Sequence, residues 1–350
     1  MSQQQFQNKI NDINWLTVEE YIREQIPGLT DDALQVKPFS AGYSNLTYFI
    51  SIGNWQAVLR RPPFGPIPPK AHDMKREYEI LEKLNRVFPL APKPYFFCED
   101  PSVMDRHFYV MEKKEGVVLD DSLPMEFEDR ADTGILVSTA VVDTLVKLHA
   151  VDYKAAELTS IGYPEGYLSR QVNGWIKRFH NAKTNDIPGV ESLEKWLIDN
   201  IPPSQAPTIV HNDFKLNNMM FSATNPGEII GVFDWELSTI GDPLTDVAAA
   251  LAYWTEPGEV ESGLTTVTTK PGFISRKEML KMYSKKSGRD VTHIDYYLTF
   301  AFYKIAVILQ QIYYRWKIGE ATDERFSRLD VGIKNLLEQA GKAQRKEILK

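Results

Sequence analysis

The sequence is poor in three features that would define its class directly: cysteine, long apolar runs and an excess of basic residues. Cys98 is the single cysteine among 350 residues, which excludes a disulfide framework and a cysteine-based zinc site and favours a reducing compartment. The net charge of -7 argues against general nucleic-acid binding, because such proteins usually present a basic face. What remains is the composition of a globular protein, with 43% hydrophobic residues.

No segment has the pattern of a targeting or membrane-spanning sequence. The amino-terminal residues are polar, so we expect no signal peptide there and a frayed tail over residues 1–12. The most apolar stretch, residues 296–312, contains Lys304 and two glutamines, and it therefore predicts a buried helix of a soluble domain. These features predict a cytoplasmic protein that binds neither a membrane nor nucleic acid, and they leave its oligomeric state open.

The length predicts two domains, and the pattern changes near residue 114. Before that point strand patterns dominate, with one helical pattern between them and a short helix near the start that Thr17 and Glu20 would cap. The expected strands are residues 46–52, 55–60 and 107–111, and the helical pattern covers residues 72–88. Strands without a strand–helix–strand alternation favour an antiparallel sheet with a helix packed on it.

From about residue 115 the pattern is mainly helical. Asp132 can cap a helix over residues 134–148, and a capping box formed by Ser275 and Glu278 begins another. A long helix is expected over residues 292–318. The predicted fold is therefore α+β with two lobes. Residues 1–114 form a small antiparallel lobe with one helix, and residues 115–350 form a larger, mainly α-helical lobe.

A hairpin pattern interrupts the helical half. Residues 225–227 read Asn-Pro-Gly, a strong turn signal, between two short apolar runs at residues 219–221 and 229–233. If Met219 faces Phe233 across this hairpin, the residues just outside the pair face one another as well. An amide and a carboxylate then meet at the open end.

That amide and carboxylate belong to Asn218 and Asp234, and Asp213 lies on the loop that enters the hairpin. The sequence thus predicts that these three side chains converge. Carboxylate and amide oxygens suit a hard cation such as Mg²⁺, which usually takes one or two protein carboxylates beside substrate phosphates. Asn218 and Asp234 are the expected metal ligands, and Asp213 is left to accept a proton from an attacking hydroxyl.

The spacing is that of the catalytic loop in the protein-kinase-like superfamily, His-x-Asp-x-x-x-x-Asn followed by an Asp after a hairpin. The motifs read HNDFKLNN from His211 and GVFDWELSTIGDPLTDVA from Gly231. They resemble the aminoglycoside phosphotransferase family, which includes choline-kinase-like enzymes. The nearest resemblance is to phosphotransferase domains that occur alone in bacteria or fused to acyl-CoA dehydrogenases, and it covers about residues 39–250.

The resemblance implies a protein-kinase-like two-lobe fold, with ATP and Mg²⁺ as cofactors. It assigns the usual phosphate-binding lysine position to Arg60, with Glu77 as its ion-pair partner, and alternation in a strand would point Arg61 the other way. Residues 40–45 would cover the phosphates or form a plain hairpin turn. The residues that the resemblance assigns to ATP binding are Ser44, Asn45, Arg60, Glu77, Met111, Glu112 and Lys113.

The other polar residues of the motifs, and His149 outside them, are not assigned to a step of the transfer. For the lysine at position 215, a phosphate contact and simple solvation remain open, whereas the remaining residues have expected structural roles. His211 is expected to pack the loop, Asp242 and Asp246 to cap a helix or brace the loop, Glu236 to act structurally rather than at the metal, and His149 to be satisfied at a helix end.

The acceptor is expected to be a hydroxyl of a small molecule, with an amine as the alternative. Only a few residues separate Asp234 from Gly241, which leaves no room for a peptide-docking segment. A cationic acceptor would suit the acid-rich residues 112–132 and Glu256, Glu259 and Glu261, whereas the likeness to dehydrogenase-fused domains favours a hydroxy-acyl metabolite.

Two alternatives to an active kinase remain. A nucleotide-binding pseudokinase with a regulatory role would explain Arg60 and the sparse glycines. A metal-dependent hydrolase would normally need histidines or further carboxylates at ligand spacing, and the chain has only 6 histidines, scattered along it.

Overall fold

The computed structural model describes residues 13–39, 45–64, 72–260, 264 and 266–350. These residues divide into two compact units. The first comprises the described residues up to Glu115 together with Gly231–Glu236, and the second comprises Gly116–Ile230 and Leu237–Lys350. The sequence did not anticipate that the segment containing Asp234 would group with the first unit. The predicted tail and the predicted loop up to Ser44 lie outside the described residues.

The first unit is built on a five-stranded antiparallel sheet with the strand order β1-β2-β3-β5-β4. The predicted strands at residues 46–52, 55–60 and 107–111 are confirmed to within one residue. The two outer strands were not predicted, because they are short, contain proline and lie at the edges. The strands are β1 (Gln35–Pro38), β2 (Leu46–Ile52), β3 (Trp55–Arg61), β4 (Pro94–Cys98) and β5 (Phe108–Glu112).

Two helices pack on this sheet, where the predicted fold class placed one. Helix α1 (Trp15–Gln25) buries Val18 and Ile22 in one core with the sheet, and helix α2 (Met74–Leu84) lies against β4 and β5. The capping box predicted at residue 17 is wrong, because α1 already begins at Trp15. Asp73 accepts a hydrogen bond from the Arg76 backbone and so caps α2.

The second unit is mainly helical, as predicted. Its long helix α9 is buried along most of its length and packs against α5, α7 and α10, because it is apolar on nearly every side. No helix in the described part of the chain is long and apolar enough to cross a membrane. The helices are α3 (Met125–Glu128), α4 (Thr133–His149), α5 (Tyr167–Asn181), α6 (Val190–Asp199), α7 (Pro243–Tyr253), α8 (Arg276–Ser287), α9 (Ile294–Lys317) and α10 (Leu329–Gln344).

Two of the predicted helix caps lie at the start of α8 and of α4. Ser275 and Glu278 form the expected capping box of α8, and Gly288 ends that helix with a φ of +69°. Asp132 precedes α4 but its carboxylate contacts Arg130 instead of the helix backbone. The prediction at Asp132 is therefore correct for the start of the helix and wrong for the side-chain cap.

Five further strands, all short, lie within or beside the sequence motifs. They are β6 (Val117–Val118), β7 (Thr208–Val210), β8 (Met219–Phe221), β9 (Ile229–Val232) and β10 (Thr239–Gly241). Strand β7 pairs antiparallel with β10, and β6, β8 and β9 are neighbours in that order. The predicted hairpin is present, since the Ser222 N–H donates to the Glu228 carbonyl at 2.9 Å. Short 3-10 turns follow at Leu216–Asn218 and Trp235–Leu237.

Candidate active site

Asp213 lies on the loop that follows β7 in the second unit, and its side chain is only 15% exposed. Nζ of Lys215 lies 2.9 Å from its Oδ2. Nδ2 of Asn218 donates to the same Oδ2 at 2.9 Å and to the Asp213 carbonyl at 2.8 Å. Burial alone would raise the pKa of Asp213, but Lys215, His211 and Lys304 hold it below its ordinary value. The carboxylate is therefore ionised near neutral pH and able to accept a proton.

The loop is braced from α7 by a buried carboxylate. Asp246 accepts hydrogen bonds from the backbone N–H groups of His211, at 2.5 Å, and Asn212, at 2.7 Å. Asp242 accepts from the Leu244 N–H and caps α7. The predictions for Asp242 and Asp246 are therefore confirmed, with one residue capping the helix and the other bracing the loop.

Asn212 has a left-handed backbone with a φ of +68°, which is uncommon for a residue with a side chain. Its side chain is held on both sides, because its Oδ1 accepts from the Tyr167 hydroxyl at 2.8 Å and its Nδ2 donates to the Leu237 carbonyl at 2.9 Å. Such strained positions persist only where the surroundings hold them, and they concentrate at functional sites.

The two histidines near this loop are structural, as predicted. His211 is fully buried, lies edge-on to Phe214 and accepts the Asp213 N–H on Nδ1 at 3.2 Å. Nδ1 of His149 lies 2.8 Å from the Tyr283 hydroxyl and its Nε2 lies 3.5 Å from Oδ2 of Asp246. Burial lowers the pKa of His149. The pair thus contributes to the packing that supports the loop.

Lys215 is not simply solvated. Its side chain is 22% exposed, and its ammonium pairs with Asp213 and lies 5.2 Å from the centre of the Tyr253 ring. Burial and the neighbouring Asp213 raise the pKa of Tyr253 well above its ordinary value, so its hydroxyl keeps its proton. The lysine therefore stands beside the candidate base as a partly accessible cation.

Lys304 was not predicted as part of this site. It projects from α9, its side chain is half-buried, and Nζ donates to the Asn212 carbonyl at 2.7 Å. Burial lowers its pKa, and Asp213 and Asp246 oppose that change. One feature of the sequence pointed to it, because Lys304 is the single cation within the most apolar stretch of the chain. The apolar pattern alone does not show that this lysine contacts residue 212.

In the first unit, Arg60 joins the two acidic residues expected near the nucleotide phosphates. Its Nη2 lies 2.6 Å from Oδ1 of Asp234, and its Nε lies 3.3 Å from Oε2 of Glu77. The predicted pair of Arg60 and Glu77 is present. Arg61 faces the other side of β3, where it pairs with Asp105 at 3.0 Å.

This cluster is buried and strained. Asp234 has a φ of +68°, and the N–H of Trp235 donates to Oε1 of Glu77 at 3.2 Å. Burial raises the pKa of Glu77, and Asp234 and Glu236 raise it further, whereas Arg60 lowers it. Burial alone would lower the pKa of Arg60, but Glu77 and Asp234 raise it above its ordinary value. The positive charge of Arg60 is therefore fixed between two acidic partners.

Asn45 and Glu236 are engaged with one another. Nδ2 of Asn45 donates to Oε2 of Glu236 at 2.9 Å, and its Oδ1 lies 2.7 Å from Nδ1 of His72. Nη1 of Arg76 donates to the Glu236 carbonyl at 2.7 Å. Glu236 thus has the structural contacts that were expected of it, and the side chain of Asn45 is held by protein groups. Ser44 lies outside the described residues.

The expected adenine-contacting residues lie at the end of β5. Met111 is buried opposite Val58, and the N–H of Glu112 donates to the Lys93 carbonyl at 2.8 Å. Nζ of Lys113 donates to Oε1 of Gln56 at 2.7 Å. The N–H of Glu112 is therefore already used within the sheet.

The structure brings Asp213 together with Asn218 in the second unit, and Arg60 together with Glu77 and Asp234 in the first. The convergence of all three motif residues on one metal stays a prediction. Among the described residues, no group of three or more His, Cys, Asp and Glu side chains is placed to hold a metal ion. The predicted ligand pair of one amide and one carboxylate is a smaller set, of the kind that Mg²⁺ uses beside phosphate oxygens.

Comparison with known proteins identifies the family. Residues 35–267 match the model of the phosphotransferase enzyme family, known as APH. The chain belongs to this family. A phosphotransferase-family chain from Ralstonia eutropha JMP134, described as a candidate aminoglycoside phosphotransferase, has a solved structure that is similar over 94% of this chain and 98% of its own. The TM-score is 0.79 and the identity 31%. The predicted protein-kinase-like fold is confirmed.

Two curated relatives and a second structure extend the comparison. Acyl-CoA dehydrogenase family member 10 of Mus musculus is 34% identical over 87% of this chain, and family member 11 of Gallus gallus is 32% identical over 92%. The chain covers 29% and 42% of these relatives, and so spans less than half of their length. The aminoglycoside phosphotransferase APH(4)-Ia, solved with ADP and hygromycin B, shares the fold with a TM-score of 0.57 at 14% identity, over 93% of this chain and 98% of its own.

Proposed function

We propose that the protein transfers the γ-phosphoryl group of ATP to a hydroxyl of a small molecule, with Mg²⁺ and with Asp213 as general base. One observation carries the proposal: the carboxylate of Asp213 is largely shielded from solvent, paired with Lys215 at 2.9 Å and held ionised. A general base must be ionised at the working pH and fixed within reach of the proton it accepts. The membership in a phosphotransferase family points to the same reaction.

The proposed step is a direct displacement. The acceptor hydroxyl gives its proton to a carboxylate oxygen of Asp213, and the oxygen forms a bond to the γ-phosphorus. The bond from that phosphorus to the oxygen bridging the β- and γ-phosphates breaks, and ADP leaves. Lys215, being partly exposed beside the carboxylate, supplies positive charge near the group in transfer.

The nucleotide would be held by the cluster around Arg60. Its guanidinium keeps its charge at every accessible pH and can bind phosphate oxygens in a fork. The Asp234 carboxylate and the Asn218 amide oxygen are hard ligands that fit Mg²⁺, and the hydrogen bonds of Asn218 to Asp213 use its nitrogen, leaving its oxygen for a metal. When bound, the ion would neutralise phosphate charge.

We propose fewer direct contacts to the nucleotide than the sequence predicted. At the end of β5, Met111 and the backbone beyond Glu112 remain the proposed adenine contacts, with Lys113 beside them, since the N–H of Glu112 is occupied. Asn45 would act by holding Glu236 rather than by contacting phosphate directly. Ser44 keeps its proposed role on the phosphate-covering loop.

The acceptor is proposed to be uncharged or anionic where it is bound, rather than cationic. Two of the three glutamates that favoured a cationic acceptor are occupied, because Glu259 forms a fork with the buried Arg276 and Glu256 lies 3.6 Å from it. Glu261 lies outside the described residues. The likeness to acyl-CoA dehydrogenase family members favours a hydroxy-acyl compound over an aminoglycoside or an amino alcohol.

A pseudokinase remains the second candidate because Arg60 stands where the superfamily usually has lysine. The two candidates agree on nucleotide binding and differ on turnover. If the protein is a kinase, as we propose, it acts in the cytoplasm on a diffusible metabolite, in keeping with its single, buried cysteine.

The test is a screen for acceptor-dependent ATP consumption. The purified protein is incubated with Mg-ATP, or Mg-GTP in a parallel series, and with hydroxy acids, their CoA thioesters, sugars, amino alcohols or aminoglycosides. ADP release is measured and the phosphorylated product identified by mass. We expect turnover with a hydroxy-acyl compound. Nucleotide binding with no acceptor-dependent turnover in any class would contradict the kinase and favour the pseudokinase.

A further inference from the structure

Lys304 is a half-buried cation that the proposed mechanism does not use. Transferring an ammonium group out of water is costly, so buried lysines are rare unless their charge is compensated or has a function. Lys304 lies in a helix whose buried side chains are mostly apolar or tyrosine, and its Nζ donates to the carbonyl of Asn212 at 2.7 Å. The ring of Trp175 lies 5.4 Å from the same ammonium. This cation is therefore directed at one backbone group.

That backbone group belongs to the peptide immediately before Asp213. The N–H of Asn212 is bound by Asp246, and the two ends of its side chain by Tyr167 and Leu237. Lys304 binds the one polar group of this residue that remains, its carbonyl. All polar groups of a residue with left-handed φ are thus held by four different segments of the second unit.

We infer that Lys304 is a positioning residue of phosphoryl transfer, which acts by clamping the Asn212 carbonyl and so fixing the direction of the Asp213 carboxylate. The Asn212 carbonyl belongs to the peptide that carries the Asp213 Cα, so its rotation would swing the catalytic side chain. A misplacement of about 1 Å can reduce the rate about 100-fold. This inference rests on the proposed function, because it assigns a role within that reaction.

The charged groups that face Lys304 are consistent with a clamp. Asp213 and Asp246 face it from the catalytic loop and from α7, whereas Lys215 and Arg178 oppose it. The nearest carboxylates make no direct ion pair with it among the described residues. The contact with the carbonyl is thus the direct polar interaction of Lys304, and the two carboxylates compensate its charge from a distance.

The experiment compares Lys304→Met with Gln310→Met. Gln310 lies on the same helix and donates to the Ala182 carbonyl at 2.8 Å, so both changes replace a side-chain donor to a backbone carbonyl by methionine. We expect Lys304→Met to lower kcat about 30- to 100-fold with KM for ATP within about twofold of wild type, and the melting temperature to change by less than about 3 °C. Gln310→Met should keep wild-type kcat.

A second readout does not depend on turnover. Amide hydrogen exchange of the peptide covering residues 211–216 is expected to be at least about fivefold faster in Lys304→Met than in wild type or Gln310→Met. If the wild type turned over no acceptor, the proposed function would be contradicted. The hydrogen-exchange comparison would still test whether Lys304 holds the Asn212 carbonyl. Unchanged exchange, or an unchanged kcat in an active enzyme, would overturn the inference. If Lys304→Met did not fold, Lys304→Gln, which keeps an N–H donor, is expected to show smaller losses in the same direction.

Discussion

Nζ of Lys215 lies 2.9 Å from Oδ2 of Asp213, two residues earlier in the chain. An ion pair at this spacing puts a cation beside the proposed base without covering it. Because Asn218 also donates to the same oxygen, the carboxylate has a defined orientation before any substrate binds. Preorganisation of this kind is what proton transfer in a phosphotransferase needs.

The first prediction concerns the base. Asp213→Asn should lower kcat by about 10²- to 10⁴-fold, because the amide cannot accept the proton of the acceptor hydroxyl. The dissociation constant for Mg-ATP should change by less than about threefold, measured by calorimetry. Asp186→Asn, at a carboxylate that is 93% exposed, is the control and should behave as wild type. Full turnover by Asp213→Asn would show that another group takes the proton.

The second prediction separates metal binding from proton transfer. Asp234→Ala should weaken Mg-ATP binding by at least about tenfold, because it removes the carboxylate proposed as a metal ligand. Calorimetric titrations with ATP in the presence of Mg²⁺ and of EDTA measure the effect. In EDTA the variant and the wild type should bind ATP with similar affinity. An affinity loss that is the same with and without Mg²⁺ would assign Asp234 a structural role only.

The third prediction uses the ion pair of Arg60 and Glu77. Arg60→Met should lower the free energy of unfolding by about 3–5 kcal/mol, because it leaves two carboxylates without their buried cation. Adding Glu77→Gln should recover part of that loss, with a coupling of about 1–3 kcal/mol. Urea unfolding of the four proteins of this cycle measures both numbers. Strictly additive effects would mean that the two residues do not interact energetically.

The fourth prediction follows from Asp246. Burial alone would raise the pKa of this carboxyl, but His149 and His211 and the bound N–H groups hold it below its ordinary value. A depressed carboxyl pKa stabilises the folded state at pH values above the unfolded pKa of about 3.9, and that contribution is lost as the pH falls through the folded value. Asp246→Asn should therefore lower the unfolding free energy by about 2–3 kcal/mol at pH 7.

The same difference between wild type and Asp246→Asn should hold from pH 8 to about pH 5 and shrink below about pH 4. Urea unfolding at each pH provides the measurement. Asp199→Asn, in an exposed pair with Lys195, serves as the control and should cost less than about 1 kcal/mol throughout. A difference that grew as the pH fell would contradict the assigned direction of the pKa shift.

Much of the fold could be predicted because its signals are local. Apolar alternation located β2 and β3, and the serine and glutamate of the α8 capping box bond within a single helical turn. Edge strands β1 and β4 were missed because neighbouring strands, not their own short sequences, make them strands. The false cap at residue 17 shows the limit of the same method, since a Thr-x-x-Glu pattern also occurs inside a helix.

The candidate site was predictable where its residues share one motif. Asp213 and Asn218 are five residues apart, so a loop followed by a short turn suffices to bring them together. Lys304 is 92 residues from its partner, and no local pattern encodes which buried helix face meets which loop. The ion pair of Glu259 with Arg276 was not predicted for the same reason. The sequence therefore left this glutamate available to a cationic acceptor.

The grouping of Gly231–Glu236 with the first unit has a consequence for biosynthesis. On a ribosome, the amino-terminal sheet emerges more than a hundred residues before the segment that supplies Asp234 to Arg60 and the Trp235 N–H to Glu77. Any sheet that folded before then would hold the ion pair of Arg60 and Glu77 without Asp234. A fragment ending at residue 115 would lack Asp234 permanently. The first unit is therefore compact in space, but its residues come from two separate segments of the chain.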